Sequence, residues 1–584
     1  MSLAGGTTRR GLRGKLGLAL VLVVALGASA CGSSHETADL VLGNGRLWTG
    51  VAEAPWAEAI AIRGDRILAV GGVEAVELHR GRGTDTVDLG GAFVCPGFID
   101  NHTHFERAGS LLLGVNLLSV STAEGLRREL ARARDRLPEG AWIVGGDWGA
   151  YEAWALGSSG TGAASGGESG AFDPDRALID PITPTNPVLL SRWDGERFLA
   201  NRLALDRAGA ACDWGGVECV DEEMTGRLDP VAAARVRAIV PAKSFEQRLA
   251  EGRVALDRLA SHGVTGIHDI TGANQLRVFR SLAANEELTT RVYARPTLDH
   301  WEDLAAVGIE HGFGDRWLRI GGLKGFVDGI MGNSSARFYE PYLTTGTRGS
   351  WRRMMEPEGN MRHLVASAVE SGHWPQVHAI GDEAIDVLLD IYEQVLASTE
   401  RTPRLRVIHT QVLRGPEVAE RMARLGVIAE MQPYHAIDDM RWMEERIGER
   451  ARWAYAFRTL RDAGVRLSFG SDWPGTNASW YPSDPLLGIY AAVTRQTLDG
   501  APEGGWYPQE RIDVQTALEA YTVVNAWAAG EEAWRGTLEP GNLADLVVLS
   551  GDPFAVDPSE IKELRVERTL VGGRWVYEAP AADS

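Results

Sequence analysis

Between residues 93 and 471 the sequence repeats one pattern, a short apolar run followed by a longer amphipathic stretch. The apolar runs fall at 93–99, 264–269, 289–294, 318–326, 375–378, 404–409, 427–431 and 465–471, with helical periodicity at 246–261, 361–371, 383–398 and 416–425. Runs this short, apolar on successive positions, read as strands covered on both faces. Strands separated by helices lie parallel, because a parallel neighbour is reached only by a crossover. The repetition predicts an α/β fold, a parallel sheet closed as a (β/α)₈ TIM-like barrel over residues 93–530.

The flanks have a different texture. Residues 39–92 read as short strands with Gly-Asn-Gly and Gly-Asp turns, and the segments at 545–549, 565–571 and 573–577 match them. Chain ends commonly lie close together, so 31–92 and 531–584 are expected to build one β domain between them. Residues 139–245 fit neither pattern and are expected to form an insertion over the barrel mouth. Within it, 156–172 is nearly all Gly, Ser, Ala and Thr and reads as a surface loop.

The formal net charge of -20 and pI near 5.2 argue against a nucleic-acid partner. Residues 1–30 have the form of a signal peptide: Arg9, Arg10, Arg13 and Lys15, then an apolar core from Leu16 to Leu26 too short to span a bilayer. Ala28-Ser-Ala30 before Cys31-Gly-Ser-Ser34 resembles a bacterial lipobox, which makes Cys31 a lipid anchor and the protein an exported, membrane-tethered lipoprotein. Plain cleavage after Ala30 is the alternative, and Arg9-Arg10 faintly resembles a twin-arginine signal. Cys95 lies in the first strand and is expected to be a buried thiol. Cys212 and Cys219 are close enough for a local disulfide in an oxidising compartment, or stay free.

Functional residues emerge where apolar runs turn polar. After Phe93 to Ile99 comes Asp100-Asn-His102-Thr-His104, and on a strand His102 and His104 share one face, as two ligands of one metal ion must. Other runs end in Gly-Leu-Lys324-Gly-Phe, Gln-Val-His378-Ala, Val-Ile-His409-Thr and Phe-Gly-Ser-Asp472-Trp. Barrel enzymes carry their chemistry at this edge of the sheet. Four histidines, a lysine and an aspartate there are poor packing residues but a good set for a divalent cation.

The order His-x-His, Lys, His, His, Asp resembles the amidohydrolase superfamily. Pro96-Gly-Phe-Ile-Asp100, His378-Ala-Ile-Gly-Asp382, Gln432-Pro-Tyr-His435, Gly470-Ser-Asp-Trp-Pro474 and Leu538-Glu-Pro-Gly541 with Ala544-Asp545 resemble its family 3 branch, which includes the N-substituted formamide deformylases. The resemblance spans residues 38–578 and implies a barrel with a composite β-sandwich that hydrolyses C–N bonds. It also implies that His102, His104 and Asp472 hold one divalent metal, zinc by its ligand set, and that His378 and His409 hold a second. Lys324 is then a carboxylated bridge between the two, or else an amine paired with a carboxylate over a single ion.

Such a site activates water, with Asp472 accepting its proton and passing it to the leaving nitrogen. His435 is the candidate donor to the oxyanion, against an ordinary polar loop residue. Asp328, Trp473 and Glu196 are candidate substrate contacts, with Trp142, Trp148 and Trp301 as further aromatic walls or packing. His268-Asp269 reads as structural hydrogen bonding. One departure concerns Glu196, which stands where family members carry a histidine near the mouth, and which weakens transfer of a formamide substrate.

The sequence therefore predicts a metal-dependent amidohydrolase acting on an N-acyl, N-formyl or cyclic amide. The rivals are a deaminase or an ester or lactone hydrolase on the same site, and a lipoprotein that binds small molecules without turnover. The expected partners are a small-molecule substrate, a membrane reached only by the lipid anchor, and a second copy in a homodimer.

Overall fold

The structure is a computed structural model that describes residues 35–118, 120–149, 172–193, 195–475 and 481–580. The leader with Cys31, and the Gly/Ser-rich stretch up to residue 171, lie outside the described residues. Residues Thr37–Ser584 form one compact unit, and none of the described helices is long and apolar enough to cross a membrane.

Two parallel sheets form its centre. One runs Phe98–Thr103, Val264–Ile270, Arg291–Arg295, Leu318–Ile320; the other runs Leu323–Phe326, Pro375–Ala379, Arg406–His409, Ile428–Met431, Leu467–Phe469. Every pairing within them is parallel. Isolated parallel bridges, Thr297 to Lys324 and Thr103 to Trp473, join the two sheets at both margins. The arrangement is TIM-barrel-like, and its strands fall where the apolar runs predicted them. The run 318–326 is broken at Gly321-Gly322, where a Cβ would meet the Tyr293 ring and the Gln376 amide at 2.2 and 2.1 Å.

The expected strand 93–99 is two strands in two different sheets. Phe93–Pro96 pairs antiparallel with Leu546–Leu549, whereas Phe98–Thr103 enters the central sheet. The chain turns at Pro96-Gly97, and a side chain at Gly97 would collide with Thr265, 2.3 Å from the Cβ position. The β domain therefore reaches past residue 92. Its six-stranded sheet runs Arg574–Glu578, Val566–Val571, Leu546–Leu549, Phe93–Pro96, Arg46–Trp48, Trp56–Ala57, and so draws on both chain ends. A four-stranded sheet built from residues 40–88 packs against it through Leu42, Ile60, Ile62, Val94, Leu546 and Leu570.

The insertion holds a five-stranded sheet, Val217–Val220, Glu223–Leu228, Phe198–Ala200, Val188–Arg192, Ile143–Trp148. Leu126 and Leu130 of the helix Ala123–Arg136 pack with Ile143, Leu190 and Leu199, so this core begins well before the expected residue 139. Cys212 and Cys219 form a disulfide beside the outer hairpin, and Cys95 is a free buried thiol.

A buried ion pair joins the β domain to the central sheets. Arg291 donates from Nε and Nη2 to the two carboxylate oxygens of Asp545 at 2.7 and 2.9 Å, and the Gly572 amide adds a third bond at 2.8 Å. Asp545→Asn leaves the Arg291 guanidinium uncompensated, and is expected to cost about 3–5 kcal/mol. Chemical denaturation of the two proteins measures it.

Candidate active site

The strand ends surround a cavity of about 310 Å³ whose wall includes His102, His104, Lys324, His378, His409, His435 and Asp472. His102 lies inside Phe98–Thr103, while His104 follows it and is fixed by its own N–H, which donates to Trp473 O at 2.7 Å. His409 and Asp472 adopt φ of +74° and +58°. Non-glycine residues pay for that left-handed geometry, and the cost is typical of a functional constraint. Asp100 secures the turn: its Oδ1 accepts from His102 N and Ser471 N at 3.0 and 2.9 Å, and its Oδ2 accepts from the Ser471 hydroxyl.

Asp472 Oδ1 lies 3.0 Å from His104 Nε2 and 3.6 Å from His102 Nε2, and its Oδ2 is 4.0 Å from His435 Nε2. The ligand atoms of His102, His104 and Asp472 all fall within 4.8 Å of one another, and so do those of His409, His435 and Asp472. His435 Nε2 is buried with no hydrogen-bond partner among the described residues. An orphaned imidazole nitrogen facing a carboxylate among further histidines fits a divalent cation. His435 thus offers a nitrogen beside His409 that is open either to an ion or, as an N–H donor, to a ligand of the cavity. The His378 ring is 4.5 Å from that of His409, but its Nε2 is engaged with Gly329 O at 2.9 Å, which leaves Nδ1 toward the site.

Second contacts set the tautomers. His102 Nδ1 donates to Glu430 Oε1 at 2.9 Å and His409 Nδ1 to Gln432 Oε1 at 2.7 Å, so each ring turns an Nε2 lone pair inward. Burial, reinforced by Lys324 at His102 and by His378 at His409, pushes both imidazoles well below their ordinary value. Burial pushes His435 down to about 4. Neutral imidazole is the form that binds metal. Burial opposes ionisation of Asp472, but His102, His104 and His409 hold it well below the usual carboxylate range. Lys324 is 1% exposed, and burial together with Arg295 pushes it down to about 7.

The sequence reading missed the support beneath this layer. Glu430 is fully buried and accepts from Arg295 Nη1 at 2.8 Å and Arg406 Nη1 at 2.9 Å as well as from His102. The signal was present: Val-Tyr-Ala-Arg295, Leu-Arg406-Val-Ile and Ile-Ala-Glu430-Met each set one charge in an apolar strand, and buried charges need each other.

Other candidates find different places. Asp328 lines the cavity, but its carboxylate accepts from Ile380 N, Gly381 N and Arg337 N at 3.1, 3.0 and 2.8 Å and lies 3.4 Å from His378 Nε2. It orients the His378 loop rather than offering itself to substrate. Trp473 is no cavity wall; its ring packs outward with Phe105, Leu256 and Phe279 because the following turn faces the helix layer. Glu196 is exposed beside Gly195 (φ +73°) in the turn between Val188–Arg192 and Phe198–Ala200, and does not line the cavity. Trp148 is buried in the insertion core, and neither Trp142 nor Trp301 lines the cavity, where Trp442 does. Asp269 accepts from Thr103 Oγ1 and Phe105 N at 3.0 and 2.8 Å, the structural bonding expected of it.

Comparison with known proteins gives a consistent picture. A family model described as "Amidohydrolase family" matches residues 85–577. The chain is 34% identical over 92% of both chains to "Protein LONG AFTER FAR-RED 3" of Arabidopsis thaliana. It is 27% identical to "N-substituted formamide deformylase" of Arthrobacter pascens, covering 92% of this chain and 98% of that one. Among solved structures, an uncharacterized metal-dependent hydrolase from Pyrococcus furiosus superposes with TM-score 0.70 at 27% identity, covering 88% and 99%.

Glu430→Gln removes the one negative charge from this buried group. It is expected to cost about 3–5 kcal/mol of stability and to weaken metal binding about 10- to 100-fold, read by thermal unfolding and competitive chelation.

Proposed function

The chain belongs to the amidohydrolase family and is a metal-dependent hydrolase of carbon–nitrogen bonds, and from that premise we propose that it cleaves an N-acyl, N-formyl or cyclic amide of a small molecule at the His102–Asp472 cavity. The observation that carries the reading is the pair of donor groups meeting at Asp472. A divalent ion held there supplies a Lewis acid and makes water nucleophilic at neutral pH. His102, His104 and Asp472 hold the first ion, in this proposal, and His378 and His409 a second. Burial favours the uncharged amine of Lys324, which is the form that takes up carbon dioxide, and a carbamate on it would bridge the two ions. The closed (β/α)₈ barrel and composite β-sandwich of this family are the scaffold we infer from the joined sheets.

The chain's own residues divide the remaining work. Asp472, kept ionised by its histidine neighbours, accepts a proton from the attacking water and delivers it to the departing nitrogen. Its turn is held by Asp100, so the carboxylate stays between water and leaving group. His435, neutral and lacking a partner at Nε2, donates to the carbonyl oxygen as charge develops on it. The rings of Tyr481 and Trp442 with Ile330 and Met331 form the apolar part of the wall and limit water.

We further infer that the protein works outside the cytoplasm, tethered through Cys31. The Cys212–Cys219 disulfide supports an oxidising compartment.

Two substitutions test the assignment. Asp472→Asn is expected to retain bound metal, by elemental analysis, while hydrolysis of a panel of N-acyl and N-formyl amides falls by 10²-fold or more, on the order of what a positioned general base contributes; retained hydrolysis removes Asp472 from proton transfer. His435→Gln is expected to lower kcat by about 10²–10³ at unchanged metal content. Loss of one metal equivalent in that variant would make His435 a ligand instead.

A further inference from the structure

The far wall of the cavity holds a buried carboxylate that the hydrolytic chemistry does not use. Asp439 is 6% exposed and lines the same cavity as the donor groups. Its Oδ2 accepts from Tyr455 Oη at 2.6 Å and from Gln411 Nε2. Both donors are neutral, both bind the same oxygen, and Oδ1 has no donor among the described residues. Among the described residues no cation reaches ion-pair distance of it. Arg446, whose charge favours the ionised form of Asp439, gives Nη1 to Met331 O and Gly332 O and lies over the Trp442 ring at 4.4 Å. The arginines of the wall are committed: Arg107 to Asp147 and Gly475 O, and Arg352 to Asp328 O at the exposed rim. An uncompensated carboxylate in such a place is costly unless an occupant of the cavity completes it.

Geometry states where that occupant sits. Asp439 closes the helix Pro433–Asp439 and lies four residues after His435, so the two side chains share one helix face. Their Cβ atoms are then about 5–6 Å apart. We propose that Asp439 anchors a cationic nitrogen of the substrate, an alkylammonium or guanidinium group, one helical turn from the carbonyl that His435 faces. The proposal rests on the hydrolase reading for the identity of that carbonyl, but the cation site stands on the cavity alone. The excess negative charge of the protein draws such molecules toward it. Burial pushes the Asp439 carboxyl up to about 8, and a bound cation returns it to the ionised form.

The test uses the full metal-loaded chain at about pH 8.5, where an alkylamine is still cationic. Titration calorimetry compares n-butylammonium with 1-butanol, a neutral molecule of similar size. The wild type is expected to bind the ammonium at least about tenfold more tightly, and Asp439→Asn to bring the two to parity at unchanged metal content. Equal binding of the two by the wild type overturns the proposal, and so does an ammonium preference that survives in a folded Asp439→Asn. If that variant fails to fold, the wild-type comparison decides alone. In turnover, the monoacetyl amide of 1,3-diaminopropane is expected to exceed N-propylacetamide in kcat/KM by a similar factor, and the reverse order overturns the proposal. Ammonium preference without cleavage of either amide upholds the cation site and removes the N-acyl amide reading of the substrate instead.

Discussion

The site depends on one carboxylate beneath it. Glu430 lies in the interior of the sheets with no exposure, and Arg295 and Arg406, also fully buried, converge on it. Burial works against its ionisation, yet Arg295, the bond from His102 and Arg406 keep it well below the usual carboxylate range. One negative charge against two guanidiniums leaves the interior electropositive. Burial is the main cause that lowers Lys324 and His102, and Arg295 adds to it. Neutral His102, His409 and His435 beside an ionised Asp472 are what burial and this charge balance produce.

The same residues tie electrostatics to backbone geometry. Glu430 fixes the His102 ring from below; Asp100 fixes the His102 backbone and the Ser471 turn together from the side. Asn525 Nδ2 donates to Phe469 O at 2.7 Å and to Ile99 O at 2.5 Å, binding the first and last strands of the central sheets just below. Gly470 must lack a side chain there, since a Cβ would stand 2.2 Å from Asn101 Oδ1. The left-handed turn at Asp472 is therefore held by bonds on both sides of the seam, and strain at a catalytic position persists only under such constraint.

Much of this was legible in the sequence, because strand ends and metal ligands are both local signals. The apolar runs fell on the observed strands, and the polar residues that ended them, His102, Lys324, His378, His409 and Asp472, came together at one cavity. What failed had causes outside the local pattern. Phe93 to Ile99 reads as one run because both halves are buried, and only the turn at Gly97, with Thr265 against it, sends them to different sheets. Trp473 follows a site residue, yet successive residues at a strand end face opposite sides, and its ring went to the helix layer. Glu430, Arg295 and Arg406 went unread because each looks anomalous alone; their meaning is a three-body contact between distant strands.

Specificity is less legible for a physical reason: it is assembled from segments that share no periodicity with the sheet. The insertion reaches the cavity through Arg107, which bonds Asp147 Oδ2 at 2.8 Å and Gly475 O at 2.9 Å, while Ser191 Oγ holds the other oxygen of Asp147 at 2.6 Å. Asp147 itself sits at φ +54°. A strained residue in the insertion is thus linked by one guanidinium to the turn that carries Asp472. Glu196, expected from the sequence near the mouth, does not line the cavity. The insertion therefore bears on the site through Arg107 rather than through Glu196.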